Sequence, residues 1–231
     1  MAGSSRDKSA PVAEAVGATG ERITENSTLL APPRASKEQA RAYIVQRGST
    51  AYTNQDIDLI TSHYWNQAVP VGLDPLLAVA QCIHETSFEG HPISSWWARR
   101  PRRNPAGLGV NGRVRRTPPP DPKNWAGDPP ENPTSWRAGL SFNSWEEAVR
   151  AQIGRLLAYA IPEGQGTNAQ KALIAFALSL RPLDSALRGT ARTLKPLGAK
   201  HNPTGAGWAT PGAQYGMRIA AIAEQIRKTA G

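Results

Sequence analysis

From Pro75 to Phe88 the chain reads Pro-Leu-Leu-Ala-Val-Ala-Gln-Cys-Ile-His-Glu-Thr-Ser-Phe, and Glu85 is its one formal charge at neutral pH. Leu76, Val79, Ala80 and Ile83 recur at helical spacing, behind Asp74 as N-cap and Pro75 at the favoured first position. A helix with so little polarity is predicted to be buried, enclosed by other elements. At about 100° per residue Glu85 lies roughly 180° from Leu76. Its own face carries Ala78, Gln81 and Cys82 rather than Lys or Arg. A carboxylate without a cationic neighbour, near the negative end of the helix dipole, is expected to titrate above its ordinary range. A general acid working near neutral pH needs that property. The alternative is a surface glutamate on a frayed helix end.

A chain of 231 residues allows one sizeable domain plus tails, or two small domains. The single cysteine, Cys82, excludes an intramolecular disulfide and a multi-cysteine metal site, and its apolar helix predicts a buried, inert thiol. A net charge of +9 favours polyanionic partners: nucleic acid, anionic membrane or bacterial cell wall. No apolar run reaches the roughly 18 residues of a membrane-spanning helix. Met1 to Lys8 lacks the apolar core of a signal peptide, so the expected route to the cell exterior is another one, or a chain that begins after a removed leader.

Residues 1–49 are rich in Ala, Ser, Gly, Glu and Pro and are expected to form a disordered or loosely packed tail, with a short helix available at Ser36 to Gln46. The folded domain is expected over 50–231. Thr53 with Asp56 resembles a capping box before a helix to about Ala68. Residues 90–137 form a lobe rich in Pro, Trp and Arg, with Trp96, Trp97, Trp125 and Trp136 and the cluster Arg99, Arg100, Arg102, Arg103. A long irregular segment of this kind is functional or disordered, and its aromatic and arginine content favours an ordered lobe. Helical periodicity resumes at Ser144, which with Glu147 repeats the capping-box signal before a helix to about Tyr159. Asn168 is expected to cap a helix through Leu180, residues 183–194 to add a short helix, and the last helix to run from about Ala213 to Lys228. The fold class is mainly α, with a small irregular or β-hairpin lobe.

Four blocks carry a resemblance to a known family. Ala80-Gln-Cys-Ile-His-Glu-Thr-Ser-Phe88, Asn104-Pro-Ala-Gly-Leu-Gly-Val110, Phe142-Asn-Ser-Trp-Glu-Glu-Ala148 and Gly207-Trp-Ala-Thr-Pro-Gly-Ala-Gln-Tyr-Gly216 stand in that order over residues 55–227. Together they resemble the glucosaminidase family of peptidoglycan hydrolases, the endo-β-N-acetylglucosaminidase-like group. The resemblance implies a lysozyme-like helical domain with a substrate groove between a helical lobe and a hairpin lobe. It also implies cleavage of the β-1,4 bond that follows N-acetylglucosamine in bacterial glycan strands. Glu85 falls on the family's catalytic acid and Tyr215 on its active-site tyrosine; packing at a helix start is the alternative for Tyr215. In the family a second acid lies in the hairpin lobe. Glu131 is the best placed candidate here, ahead of Asp121 and Asp128, with Glu89 a weaker rival near Glu85.

These expectations agree with the chemistry. Glycoside cleavage needs a protonated carboxyl for the leaving oxygen and a stabiliser of oxocarbenium charge, either a second carboxylate or the substrate's own N-acetyl group. Sugar faces pack on aromatic rings while polar groups fix orientation. Trp96, Trp97, Trp125 and Trp136, with Asn104 and Gly107, are the candidate substrate-binding residues; Trp65 and Trp145 fall on core-facing patterns. His63, His84, His91 and His201 form no His-Glu-x-x-His array, so no metal and no cofactor is expected. The expected partners are peptidoglycan strands and anionic wall polymers, at the bacterial cell wall, with no nucleic acid and no membrane span. A phage lysin or an autolysin fits this reading. A lytic transglycosylase using Glu85 alone, and a non-catalytic wall- or nucleic-acid-binding module, are the alternatives.

Overall fold

The computed structural model describes residues 21–231, and six α-helices follow one another there: α1 (Lys37–Arg47), α2 (Asn54–Ala68), α3 (Pro75–Thr86), α4 (Trp145–Ala160), α5 (Asn168–Leu180) and α6 (Tyr215–Arg227). Three short strands lie between α3 and α4: β1 (Val114–Arg115), β2 (Trp125–Asp128) and β3 (Ser135–Ala138). They form an antiparallel sheet in the order β1-β3-β2, with Trp125 opposite Ala138, Gly127 opposite Trp136 and Val114 opposite Arg137. The fold is mainly α with a hairpin lobe.

Local signals open most of the helices. Thr53 and Asp56 exchange the two hydrogen bonds of a capping box at α2, as Ser36 and Gln39 do at α1. Asp74 caps α3 through the Leu76 amide, and Ser144 caps α4 through the Glu147 amide. At α5 the cap is Thr167 and not Asn168, because Thr167 closes its own box with Gln170. Residues 183–194 contribute a single 3-10 turn, Ser185–Leu187. Helix α3 is buried almost all round, from Pro75 to Ile83, and packs against α2 and α6. Burial pushes the Cys82 thiol up to about 11, so it stays protonated. No described helix is long and apolar enough to cross a membrane.

The expected loose tail to residue 49 does not hold for its described part; residues 1–20 lie outside the described residues. Ile23, Leu29, Ala35, Tyr43 and Ile44 are all in the core. Leu29 takes a backbone hydrogen bond from the Asp74 amide (2.9 Å) and gives one to Arg192 (2.9 Å). The Arg34 guanidinium pairs with the wholly buried Asp74 carboxylate at 2.8 Å. Burial pushes the Asp74 carboxyl up to about 6 against the pull of Arg34. Few large apolar side chains suffice here, because polar ties join the segment to distant elements: Ile23 to Glu224, Leu29 to Asp74 and Arg192, and Arg34 to Asp74.

Candidate functional site

The carboxyl of Glu85 emerges from the last turn of α3 and is held by residues from three other parts of the chain. Tyr215, the first residue of α6, donates its hydroxyl hydrogen to Glu85 Oε1 at 2.5 Å. Gln81, one turn before Glu85, donates from Nε2 to the Tyr215 oxygen at 2.9 Å. Gln152 of α4 donates from Nε2 to Gln81 Oε1 (2.8 Å), and Tyr64 of α2 donates to Gln152 Oε1 (2.6 Å). The five side chains form one chain of hydrogen bonds through the interior.

The polarity of that chain is fixed from its far end. Gln152 Nε2 also faces the Ala78 carbonyl at 3.0 Å, and a carbonyl can only accept. The nitrogen of Gln152 must therefore be the atom that meets Gln81, so Gln81 presents its oxygen there and its nitrogen to Tyr215. The Tyr215 hydrogen is left for Glu85. With Oε1 already accepting, a proton on Glu85 belongs on Oε2.

Oε2 faces Gly107. A Cβ added at that glycine would lie 3.3 Å from Glu85 Oε2, and the backbone there has φ of +60°. Both facts call for glycine. Asn104 builds the loop: its Nδ2 donates to the Leu108 and Leu140 carbonyls (2.8 and 3.0 Å), and its Oδ1 accepts from the Ala106 and Leu108 amides (3.3 and 2.8 Å). Asn104 is fully buried with its amide saturated, so it shapes the Gly107 turn and has nothing left to offer a ligand. That corrects its expected part in direct binding. Tyr215 is fixed by a second close approach, since a Cβ on Gly216 would meet the Leu194 carbonyl carbon at 2.7 Å.

The electrostatics follow from this enclosure. Burial raises the Glu85 carboxyl above the usual range, and the Tyr215 hydrogen bond opposes it. Glu85 is in no ion pair among the described residues, whose salt bridges run from Arg34–Asp74 to Lys228–Glu224. Burial, and then the charge of Glu85, holds the Tyr215 phenol well above its ordinary value. His84 meets the Tyr215 ring edge-on at 5.3 Å; burial, helped by Arg218, lowers its imidazole.

Two concavities are lined by neighbours of the carboxyl. An open one of about 320 Å³ is lined by His84, Gln214, Tyr215 and Arg218. A tighter one of about 100 Å³ is lined by Gly107, Leu108, Arg155, Tyr159, Arg181 and Trp208. Glu85 touches a lining residue of each, Tyr215 and Gly107, without itself lining either.

The expected tryptophans line neither of these concavities. Trp96 has the Arg102 guanidinium 3.7 Å and that of Arg137 5.0 Å from its ring centroid, and Trp97 meets it edge-on at 4.8 Å. With Arg102 on its ring, Trp96 is engaged in holding the hairpin lobe. Trp125 lies within 6 Å of Arg113 and Arg115 (5.9 and 5.7 Å), and Trp136 sits half-buried in β3. Trp65 and Trp145 are buried in the core. The tryptophan beside Gly107 is Trp208, whose Nε1 donates to the Ala106 carbonyl (3.2 Å) and whose ring lies 5.8 Å from that of Tyr159. It stands in the quoted Gly207-Trp block, yet an aromatic ring in a loop gave no sign of facing the site.

Of the carboxylates in the hairpin lobe, Asp121 caps a 3-10 turn through the Lys123 amide and Asp128 pairs with Arg137 at 3.2 Å. Glu131 is exposed in the turn between β2 and β3, and Glu89 is exposed in the turn after α3. Neither belongs to the hydrogen-bonded chain around Glu85. Comparisons of this chain with protein-family models, with curated proteins and with solved structures return no match.

Proposed function

We propose that this protein is a glycoside hydrolase with a lysozyme-like fold that acts on bacterial cell-wall glycan, as an endo-β-N-acetylglucosaminidase of the phage-lysin or autolysin kind. One observation carries the reading: Glu85 is a desolvated carboxyl with one oxygen tied to Tyr215 and the other turned to Gly107, which lines a cavity. A proton kept on Oε2 by burial is available to a glycosidic oxygen entering beside Gly107. As it leaves, charge develops on Glu85, and the Tyr215 hydrogen bond to Oε1 strengthens against that charge. Gln81, Gln152 and Tyr64 hold Tyr215 in the donor orientation. Glu131 on the hairpin turn, or the N-acetyl group of the sugar, supplies the stabilisation of oxocarbenium charge.

The net charge of +9 suits attraction to anionic wall polymers. Because Glu85 is the one carboxylate within the hydrogen-bonded chain, a lytic transglycosylase is the second reading. Digestion of purified peptidoglycan with mass analysis of the released fragments tests both. Hydrolysis yields reducing ends that carry an added water, whereas transglycosylation yields anhydro ends. Glu85→Gln lowers release by about a hundredfold to ten-thousandfold, and equal release by variant and wild type refutes the assignment.

A further inference from the structure

The cavity beside Gly107 is lined by a cation, Arg155, that no carboxylate pairs with among the described residues. Arg155 lies on α4 and is only 8% exposed. Its hydrogen bond goes from Nη1 to the Arg181 carbonyl at 3.1 Å, a neutral acceptor. Neither Arg155 nor Arg181 is in a salt bridge among the described residues. Both guanidinium-bearing residues line the same cavity of about 100 Å³, with Tyr159 and Trp208. The Arg155 guanidinium carbon stands 5.9 Å from each of those two ring centroids.

Burying an arginine without a counter-charge is costly, and such a group is ordinarily paired. Here Arg155 lines a cavity that also has an aromatic wall, and its other polar neighbour, the Tyr159 hydroxyl, is uncharged as well. Two guanidiniums offer the fork that matches a planar carboxylate, and the rings offer the flat face that a sugar covers. Gly107 joins this cavity to Glu85, because the same residue lines the one and abuts the other.

We infer that the Arg155–Arg181 cavity binds a carboxylate borne by the glycan strand next to the bond being cleaved. This inference rests on the glycosidase reading for its ligand. The carboxylate comes either from the lactyl ether of a sugar stripped of peptide or from the peptide attached there. The cavity thus selects strands that carry acid groups over uncharged polymers of the same linkage.

The test has a binding arm and a cleavage arm, both with the full chain. Ligand-observed NMR compares N-acetylmuramic acid with its methyl ester, against wild type, Arg181→Gln and Arg155→Gln. Arg181 is half-buried at the C-cap of α5, so its variant is the one retained if the Arg155 variant does not fold. The acid binds wild type at least tenfold more tightly than the ester, the difference expected for hydrogen bonds to a charged group. In Arg181→Gln the acid-to-ester ratio falls towards one. Equal binding of acid and ester by wild type, or an unchanged ratio in the variant, overturns the inference.

The cleavage arm uses peptide-bearing and peptide-free strands, each with carboxyls free or amidated. Wild type prefers the free acids, and the pair that loses more on amidation identifies the lactyl or the peptide source. Equal rates on free and amidated strands overturn the inference. Should wild type cleave no strand at all, the hydrolase reading fails while the acid-to-ester ratio still decides the cavity.

Discussion

Replacing Tyr215 by phenylalanine removes one oxygen and two hydrogen bonds, at 2.5 Å to Glu85 and 2.9 Å from Gln81. Tyr215 and Gln81 are both buried, so water cannot restore what is lost. Once Glu85 is ionised, a hydrogen bond to it contributes about 1.5–3 kcal/mol, and the stranded buried Gln81 donor costs about 1–3 kcal/mol. Since the ring still packs, the net destabilisation is about 2–4 kcal/mol. For a domain of this size that lowers Tm by roughly 5–15 °C.

The direction with pH is fixed by which form of Glu85 the phenol serves. Its hydrogen bond favours the carboxylate and so opposes the upward push of burial. Without it the Glu85 carboxyl titrates higher still. The folded protein then holds its proton where the unfolded chain has released one, so stability falls as pH rises, and falls further in the variant. The deficit is smallest at acid pH and grows through the carboxylate range. A general acid acts while protonated, so the alkaline limb of kcat/KM moves to higher pH as turnover drops by about tenfold to a hundredfold. Thermal unfolding across pH, rate profiles on peptidoglycan and the 13C titration of the Glu85 carboxyl measure these three consequences. A carboxyl titration that stays put or moves down, with Tm lowered equally at every pH, refutes the hydrogen-bond reasoning and leaves Tyr215 as packing alone.

Other perturbations address the same frame. Gly107→Ala forces a side chain into a backbone with φ of +60° and sets its Cβ 3.3 Å from Glu85 Oε2. It should cost about 1–2 kcal/mol in urea unfolding and lower turnover more than that loss explains. Arg34→Leu leaves the buried Asp74 carboxylate unpaired and destabilises by about 3–5 kcal/mol, most above pH 6, where Asp74 is ionised; the double variant with Asp74→Asn should recover part of it. Glu131→Gln leaves Tm unchanged, since the residue is exposed, and lowers turnover by about a hundredfold; unchanged turnover would transfer its role to the substrate's N-acetyl group.

What could be seen in the sequence, and what could not, divides along the range of the interactions. The caps at Thr53, Asp74 and Ser144 are local, and the buried character of α3 follows from its own composition. Residues 21–35 gave no such signal because only two large side chains, Ile23 and Leu29, join the core, in a segment tied to Arg192, Asp74 and Glu224 far along the chain. The site divides in the same way. Gln81 stands four residues before Glu85, so its place on that face was legible, whereas its partners come from α2, α4 and α6.

The least legible element decides the most. The donor direction of Tyr215 depends on the Ala78 carbonyl facing Gln152. Every residue has a carbonyl, and this one is free to accept from Gln152 only because of where α4 crosses α3. If Gln152 were turned over, its oxygen would oppose the Ala78 oxygen, and its nitrogen would meet the Tyr64 hydroxyl, which would then have to accept. Gln81 would turn in response, and Tyr215 would point its hydrogen at Gln81 and its lone pairs at Glu85. A carboxylate would then face an acceptor across a short gap, and Glu85 could persist there only with its proton on Oε1, away from Gly107. The packing of two helices, transmitted through two glutamines, thereby sets which oxygen of Glu85 carries the proton.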